Sequence, residues 1–167
     1  EFVDYDGKII KVEEVAHGGS ATAPTVPARV GYTFTGWDVA FDNVTEDLTV
    51  TAQYEINKYT VEFVDHDGTS LKVEEVAHGS AATAPADPTR EGYSFIGWDV
   101  AFDNVTDDIT VTAQYEINKY TVSFVADGNG SLTGETVVEA DYGTELGTLT
   151  YPEAEADHGY KFAGWDI

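Results

Sequence analysis

The sequence predicts an α+β, mostly β fold built from tandem small modules, each running β-β-(short helix or loop)-β-β. Three observations carry this. A box Gly-Tyr-x-Phe-x-Gly-Trp-Asp occurs at residues 31–38, 92–99 and 159–166 and holds every tryptophan, Trp37, Trp98 and Trp165. Residues 1–61 align without gaps to 62–122 with 47 of 61 positions identical, so the repeat and not the chain length sets the domain count. Between the boxes, apolar and polar residues alternate at the period of a strand. The expected modules are residues 1–57, with the first strand cut short; 58–118, complete; and 119–167, lacking the last strand.

The middle module shows each element in order. Residues 59–65 place Tyr59, Val61 and Phe63 on one face and Thr60 and Glu62 on the other, which is a strand. Asp65-His66-Asp67-Gly68 has turn chemistry, because Asp bonds its own backbone and Gly tolerates the tight bend. Residues 71–76 then pair back as a hairpin. Residues 77–92 are rich in Ala, Pro, Ser and Thr; Pro85 and Pro88 leave room for a short helix or a loop. Residues 93–99 form the Trp-bearing strand, where the Gly before Trp permits a bulge that re-aims the indole. Residues 109–115 are the clearest half-buried strand, with Ile109, Val111, Ala113 and Tyr115 on one face. Each Trp carries on the order of 200 Å² of surface, so Trp37, Trp98 and Trp165 are expected to be buried, packed by the Tyr and Phe of their own boxes.

The third module opens on Ser123-Phe124-Val125 and reaches its Trp six residues later than the repeat period. An insertion therefore lies between Val125 and Trp165, and nothing corresponds to residues 101–115. The joint Glu116-Ile117-Asn118-Lys119 has no Gly, Pro or Ser, which predicts a short connection and a semi-rigid string of beads. A module of about sixty residues is marginal by burial alone, so neighbouring repeats of the chain are expected to support one another. Methionine is absent, so the chain is expected to be an excerpt of something longer, cut within modules at both ends, with any targeting signal outside it.

Composition narrows the partners. A net charge of −23, from 31 acidic and 8 basic residues, repels nucleic acid and anionic membrane surfaces. No apolar run approaches the roughly 20 residues of a membrane span, so no membrane insertion is expected. Cysteine is absent, which removes disulfides, thiolate metal sites and thiol nucleophiles.

The box, the downstream strand Ile-Thr-Val-Thr-Ala-Gln-Tyr at 109–115 and the opening Tyr-Thr-Val-x-Phe-Val-Asp at 59–65 together resemble the Listeria–Bacteroides repeat, also called the internalin B-repeat family. The resemblance covers the first two modules nearly in full and the third up to its Trp. It implies a compact β-grasp-like module, strung in tandem in secreted or wall-anchored bacterial surface proteins. Such modules serve as spacers or as adhesion modules for a host protein or glycan, without catalytic residues. The expected function is therefore a non-enzymatic stalk segment, extracellular and at the cell surface or cell wall, monomeric, with strand exchange at the third module the route to self-association. The alternative is adhesion through weak multivalent contacts.

No catalytic, cofactor-binding or metal-ligating residue is predicted. Asp4-x-Asp6-Gly7 and Asp65-x-Asp67-Gly68 look like the start of a calcium loop, but supply too few of the six to eight oxygens calcium takes; they read as turns. Residues 42–47 and 103–108 concentrate carboxylates, and general acid–base work would need a cleft such a small module does not offer. Asn43 and Asn104 stand in N-x-T sequons. His17 and His78 are twins and His66 and His158 are not; none has metal-ligand spacing, and all four read as surface or loop histidines. Lys58 and Lys119 open the first strands of their modules, where an edge lysine discourages strand addition; nothing marks an isopeptide triad around them.

Overall fold

The computed structural model describes residues 1–166. The chain divides into two compact units: Glu1–Pro85 with Asp99–Thr112, and Ala86–Trp98 with the chain from Ala113 on. The strands are β1 (Phe2–Val3), β2 (Ile9–Lys11), β3 (Tyr32–Trp37), β4 (Val50–Ile56), β5 (Lys58–Val64), β6 (Ser70–Ala77), β7 (Tyr93–Trp98), β8 (Ile109–Ile117), β9 (Lys119–Ser123), β10 (Gly130–Thr133), β11 (Val137–Asp141) and β12 (Glu153–Ala156).

In the first unit, β1 to β4 form a mixed sheet ordered β2-β1-β4-β3. β1 pairs antiparallel with β2 and parallel with β4, and β3 pairs antiparallel with β4. The second module repeats this as β6-β5-β8-β7. There the first half of β8 pairs parallel with β5, from Val61↔Ile109 to Val64↔Thr112. The expected bulge is present: the β3–β4 register slips between Phe34 and Gly36, and Gly36 has φ +144°. A side chain rarely adopts that conformation, so Gly is what lets the strand re-aim its tryptophan.

No helix forms between β6 and β7; the segment is a loop, held by side chains instead. Lys72 bonds Glu74 at 2.8 Å and also donates to the Thr83 carbonyl, while the Thr83 N–H donates to Glu74 at 2.5 Å. Lys11, Glu13 and Thr22 make the same clamp in the first module, with bonds of 2.9, 2.7 and 2.8 Å. The loop then pairs with residues 102–105 through Ala82 N–H to Phe102 and Val105 N–H to Ser80. Backbone groups that a helix would satisfy internally are satisfied here by a clamp and a bridge.

The tryptophans are not the deepest side chains, contrary to expectation. Trp37, Trp98 and Trp165 are half-buried; the fully buried centres are Phe2, Phe63, Val50, Val61, Val105 and Val111. Trp37 lies edge-on against Phe2 at 4.9 Å and Phe34 at 5.4 Å between ring centroids. The box Phe packs on the Trp as expected, but the box Tyr goes elsewhere: Tyr32 lies under the Arg29 guanidinium at 3.5 Å. An indole is too large for the interior of so thin a module, so it covers the core and the smaller phenyl ring of the opening strand fills it.

In the second unit, the second half of β8 pairs antiparallel with β7, from Tyr93↔Ile117 to Trp98↔Ala113, with the same slip at Gly97. Beyond it lie two two-stranded sheets, β11-β9 and β10-β12, and one 3₁₀ turn at Leu146–Thr148. β10, β11 and β12 all lie between Val125 and Trp165, the stretch in which the insertion is expected. Trp165 packs against Phe124 at 5.1 Å, Phe162 at 5.4 Å and Tyr151 at 5.8 Å. The segment bearing it is not a strand, whereas the sequence pattern predicts one. In the other two modules that strand exists by pairing with β4 or β8, and among the described residues no strand pairs with the Trp165 segment.

Candidate functional site

Among the described residues, the most built feature is the joint between modules. Asn57 is the single residue between β4 and β5, and Asn118 the single residue between β8 and β9. Asn57 is held at three points. Its N–H donates to the Gly31 carbonyl at 2.8 Å, its carbonyl accepts from the His78 N–H at 2.8 Å, and its Oδ1 accepts the Thr33 hydroxyl at 2.7 Å. Asn118 repeats the set with Gly92 at 2.8 Å, Tyr142 at 2.8 Å and the Ser94 hydroxyl at 2.6 Å.

The glycine that opens each box is the floor of the joint. A methyl group at Gly31 would lie 2.0 Å from the His78 ring, and one at Gly92 would lie 1.9 Å from the Tyr142 ring. Both glycines also have positive φ, +75° and +77°, so backbone conformation and ring contact each select Gly. His78 packs toward Tyr59 at 5.9 Å, and Tyr142 toward Tyr120, the counterpart of Tyr59, at 6.5 Å. The Tyr142 hydroxyl donates to Glu91 at 2.7 Å, and that bond to an anion, helped by burial, raises its pKa. His78 Nδ1 is buried with no hydrogen-bond partner.

His78 lies in the turn just after β6, in keeping with its reading as a loop histidine, and there it is half-buried at the joint; His17, His66 and His158 are exposed. Sequence alignment of modules could not pair His78 with Tyr142, since the third module diverges there. The signal that finds them is positional: each is the first residue after the strand that pairs back on β5 or β9.

The other sequence candidates fall in turns and loops. Asp65 and Asp67 bond the turn's own backbone: the His66 N–H donates to Asp65 at 2.7 Å and the Thr69 N–H to Asp67 at 2.9 Å. The Thr69 bond holds the Asp67 carboxyl below its ordinary pKa. Asp65, His66 and Asp67 bring ligand atoms within 4.8 Å of one another, a spacing turn geometry produces unaided. Asp4 and Asp6 act alike, bonding the Tyr5 and Lys8 N–H groups at 2.9 and 3.0 Å. In the acidic loop, Asp103, Asp107 and Asp108 are exposed, but the loop is anchored: Val105 is buried, and Asp108 accepts the Thr60 N–H at 2.7 Å. Asn43 and Asn104 are exposed in these loops, and Lys58 and Lys119 are exposed at the first positions of β5 and β9. The described residues contain no helix long and apolar enough to cross a membrane.

The chain is similar to two proteins of Evansella cellulosilytica, one named as a Gly-rich membrane protein and one as a membrane protein. Each is 33% identical, over 98% and 99% of this chain but only 21% and 28% of the relative. It is also 41% identical to Internalin H of Listeria monocytogenes over 57% of this chain and 19% of that protein. The matches thus span 19% to 28% of the relatives' own lengths. The sequence signature of the Listeria-Bacteroides repeat domain matches three times in succession, at residues 1–58, 59–119 and 120–166, so this chain belongs to the Listeria-Bacteroides repeat domain family.

Proposed function

We propose that the chain is a non-enzymatic spacer, a stalk segment of an extracellular, cell-surface bacterial protein, built from β-grasp-like modules. The single observation that carries the reading is the one-residue joint. Asn57 and Asn118 leave no slack between strands, and each is fixed by three hydrogen bonds. A tether meant to let modules tumble would be longer and rich in Gly or Ser. The family membership and the relatives named as membrane proteins support a surface location, and a charge of −23 keeps such a stalk solvated. The strand order 2-1-4-3 with a parallel central pair supports the β-grasp-like reading.

The test is a pulsed-dipolar distance measurement between spin labels on exposed positions of the first two modules. A narrow distribution is expected, broadened when Gly31→Leu displaces the His78 ring. A broad distribution in the unaltered chain would sink the spacer reading.

One cluster favours the alternative, an adhesion module for a host protein or glycan. Arg29 lies between Tyr5 at 3.8 Å and Tyr32 at 3.5 Å, and Tyr5 is 52% exposed. An exposed Tyr5 backed by Arg29 and the half-buried Tyr32 is an aromatic surface that a weak contact can use. Binding of immobilised glycans or host-cell extracts that Tyr5→Ala removes would support it; equal binding by that variant would not.

A further inference from the structure

The sequence contains 31 acidic residues and two arginines, Arg29 and Arg90, and both arginines open the same turn. Arg29-Val30-Gly31-Tyr32 is closed by the Tyr32 N–H donating to the Arg29 carbonyl at 3.1 Å, with Gly31 supplying a left-handed φ of +75°. Arg90-Glu91-Gly92-Tyr93 is closed in the same way at 3.1 Å, with Gly92 at +77°. Such a turn brings its first and fourth residues side by side. The guanidinium therefore lies on the tyrosine ring, 3.5 Å from the Tyr32 centroid and 3.7 Å from that of Tyr93.

In the first module the other face of the guanidinium is covered too, by the Tyr5 ring at 3.8 Å. A guanidinium is planar, and its five N–H donors all project in the plane. With a ring on each face, a ligand reaches Arg29 at the edge, where those donors point. The two lysines of the loop clamps, Lys11 and Lys72, each meet a carboxylate. Among the described residues neither arginine side chain has an ion pair or a hydrogen bond. Arg29 is thus half-buried and held by stacking instead of by an acid, in a chain of net charge −23.

We propose that Arg29 and Tyr5 form a subsite for a sugar bearing a single carboxylate, of the uronic or sialic acid type; this rests on the adhesion reading and names its ligand. Three features select that chemistry. The in-plane fork of a guanidinium matches a carboxylate with two parallel hydrogen bonds. The exposed Tyr5 ring beside it offers an aromatic surface on which the C–H face of a pyranose lies. The field of a chain at −23 repels sulfated polysaccharides and other polyanions, whereas one carboxylate brings little charge to a local cation. The second module carries a weaker copy of the subsite. There the position of Tyr5 is taken by His66, and the neutral Val30 beside Arg29 is replaced by Glu91 beside Arg90. A carboxylate adjacent to Arg90 competes with that of a ligand.

The experiment titrates sialyllactose and, separately, a glucuronic-acid disaccharide into the full 167-residue chain at constant ionic strength, reading the two arginine Nε–H signals by NMR. The Arg29 signal is expected to shift with a Kd on the order of 1 mM, the Arg90 signal only at severalfold higher sugar, and neither with lactose. Whichever acid sugar shifts Arg29 at lower concentration identifies the type. Arg29→Lys keeps the charge and loses the fork, so it should weaken binding about tenfold, read from the Tyr5 ring signals. Val30→Glu, at a position 85% exposed and copying the second module, should bring Arg29 down towards the affinity of Arg90 without unfolding the chain. Equal shifts from acetate, tighter binding of heparin, or an unchanged Kd in the Val30→Glu chain would each overturn the proposal. If Tyr5→Ala abolishes binding to host-cell extracts while neither acid sugar shifts Arg29, adhesion stands and the carboxylate subsite falls; binding in neither assay removes both.

Discussion

At Gly31 and Gly92 two constraints fall on one residue, a left-handed backbone and a ring in contact where a Cβ would be. Gly92→Ala should therefore cost about 1–3 kcal/mol in backbone strain alone, with a further loss as Tyr142 is displaced; urea unfolding followed by far-ultraviolet circular dichroism measures it. The core sets a second expectation. Phe63 is fully buried and Trp98 only half, so Phe63→Ala should cost about 3–5 kcal/mol and Trp98→Ala less, a ranking opposite to what side-chain size alone suggests. Equal or reversed losses in the same measurement would return the tryptophan to the centre of the core. The clamp carboxylates add a pH dependence. Lys72 and the Thr83 N–H hold Glu74 below its ordinary pKa, and the Thr22 N–H and Lys11 do so for Glu13. A depressed folded value means the contribution is present above the unfolded pKa of about 4.3 and is lost as pH falls through the folded values. Acidifying from neutrality should thus lower the urea midpoint, and the Glu13→Gln, Glu74→Gln double variant should show a shallower fall.

Among the elements, the hairpin turns at Asp4–Gly7 and Asp65–Gly68 are held by their own backbone bonds. Calcium needs six to eight oxygens, so millimolar calcium should leave the melting temperature where sodium at matched ionic strength leaves it. A calcium-specific rise, measured by thermal unfolding, would make Asp65, His66 and Asp67 a site. The strands of the middle module were legible from alternation at period two: 59–65, 71–76, 93–99 and 109–115 each correspond to a strand within two residues at either end. The Gly-Trp bulge was legible for a similar local reason. What failed were features decided by distant partners. The loop after β6 stays unwound because a Lys-x-Glu pair eleven and nine residues before Thr83 holds it, a pairing no periodicity encodes. His78 does lie in a turn, but its contact with Gly31 of the preceding module leaves no local pattern to read.

For the molecule as a whole, stability should be distributed unevenly between modules. In the second module β8 lies between β5 and β7, and Val111 and Ala113 on it are buried. In the third, β9 pairs with β11 alone, and apart from Pro152 no described residue after Ala113 is buried. Side chains that would close a core remain in view: Phe162 is 51% exposed and Tyr160 61% exposed. A module with open edges and little buried apolar surface opens locally at low free-energy cost. Amides of residues 123–166 should therefore exchange faster than those of residues 62–115 in a dilute monomer. A strand supplied to the third module should reverse this, because it would pair along the Trp165 segment as β8 pairs with β7 and cover Phe162. An extension of about 20 residues reproducing the sequence 101–117, long enough at roughly 3.3 Å per residue to span the sheet, should slow exchange across residues 119–123 and 160–166. The same protection appearing at high protein concentration without the extension would identify strand exchange between copies as its source. If residues 123–166 already exchange as slowly as 62–115 in the dilute, unextended chain, the third module is closed by the β10–β12 pair and not by a fourth strand.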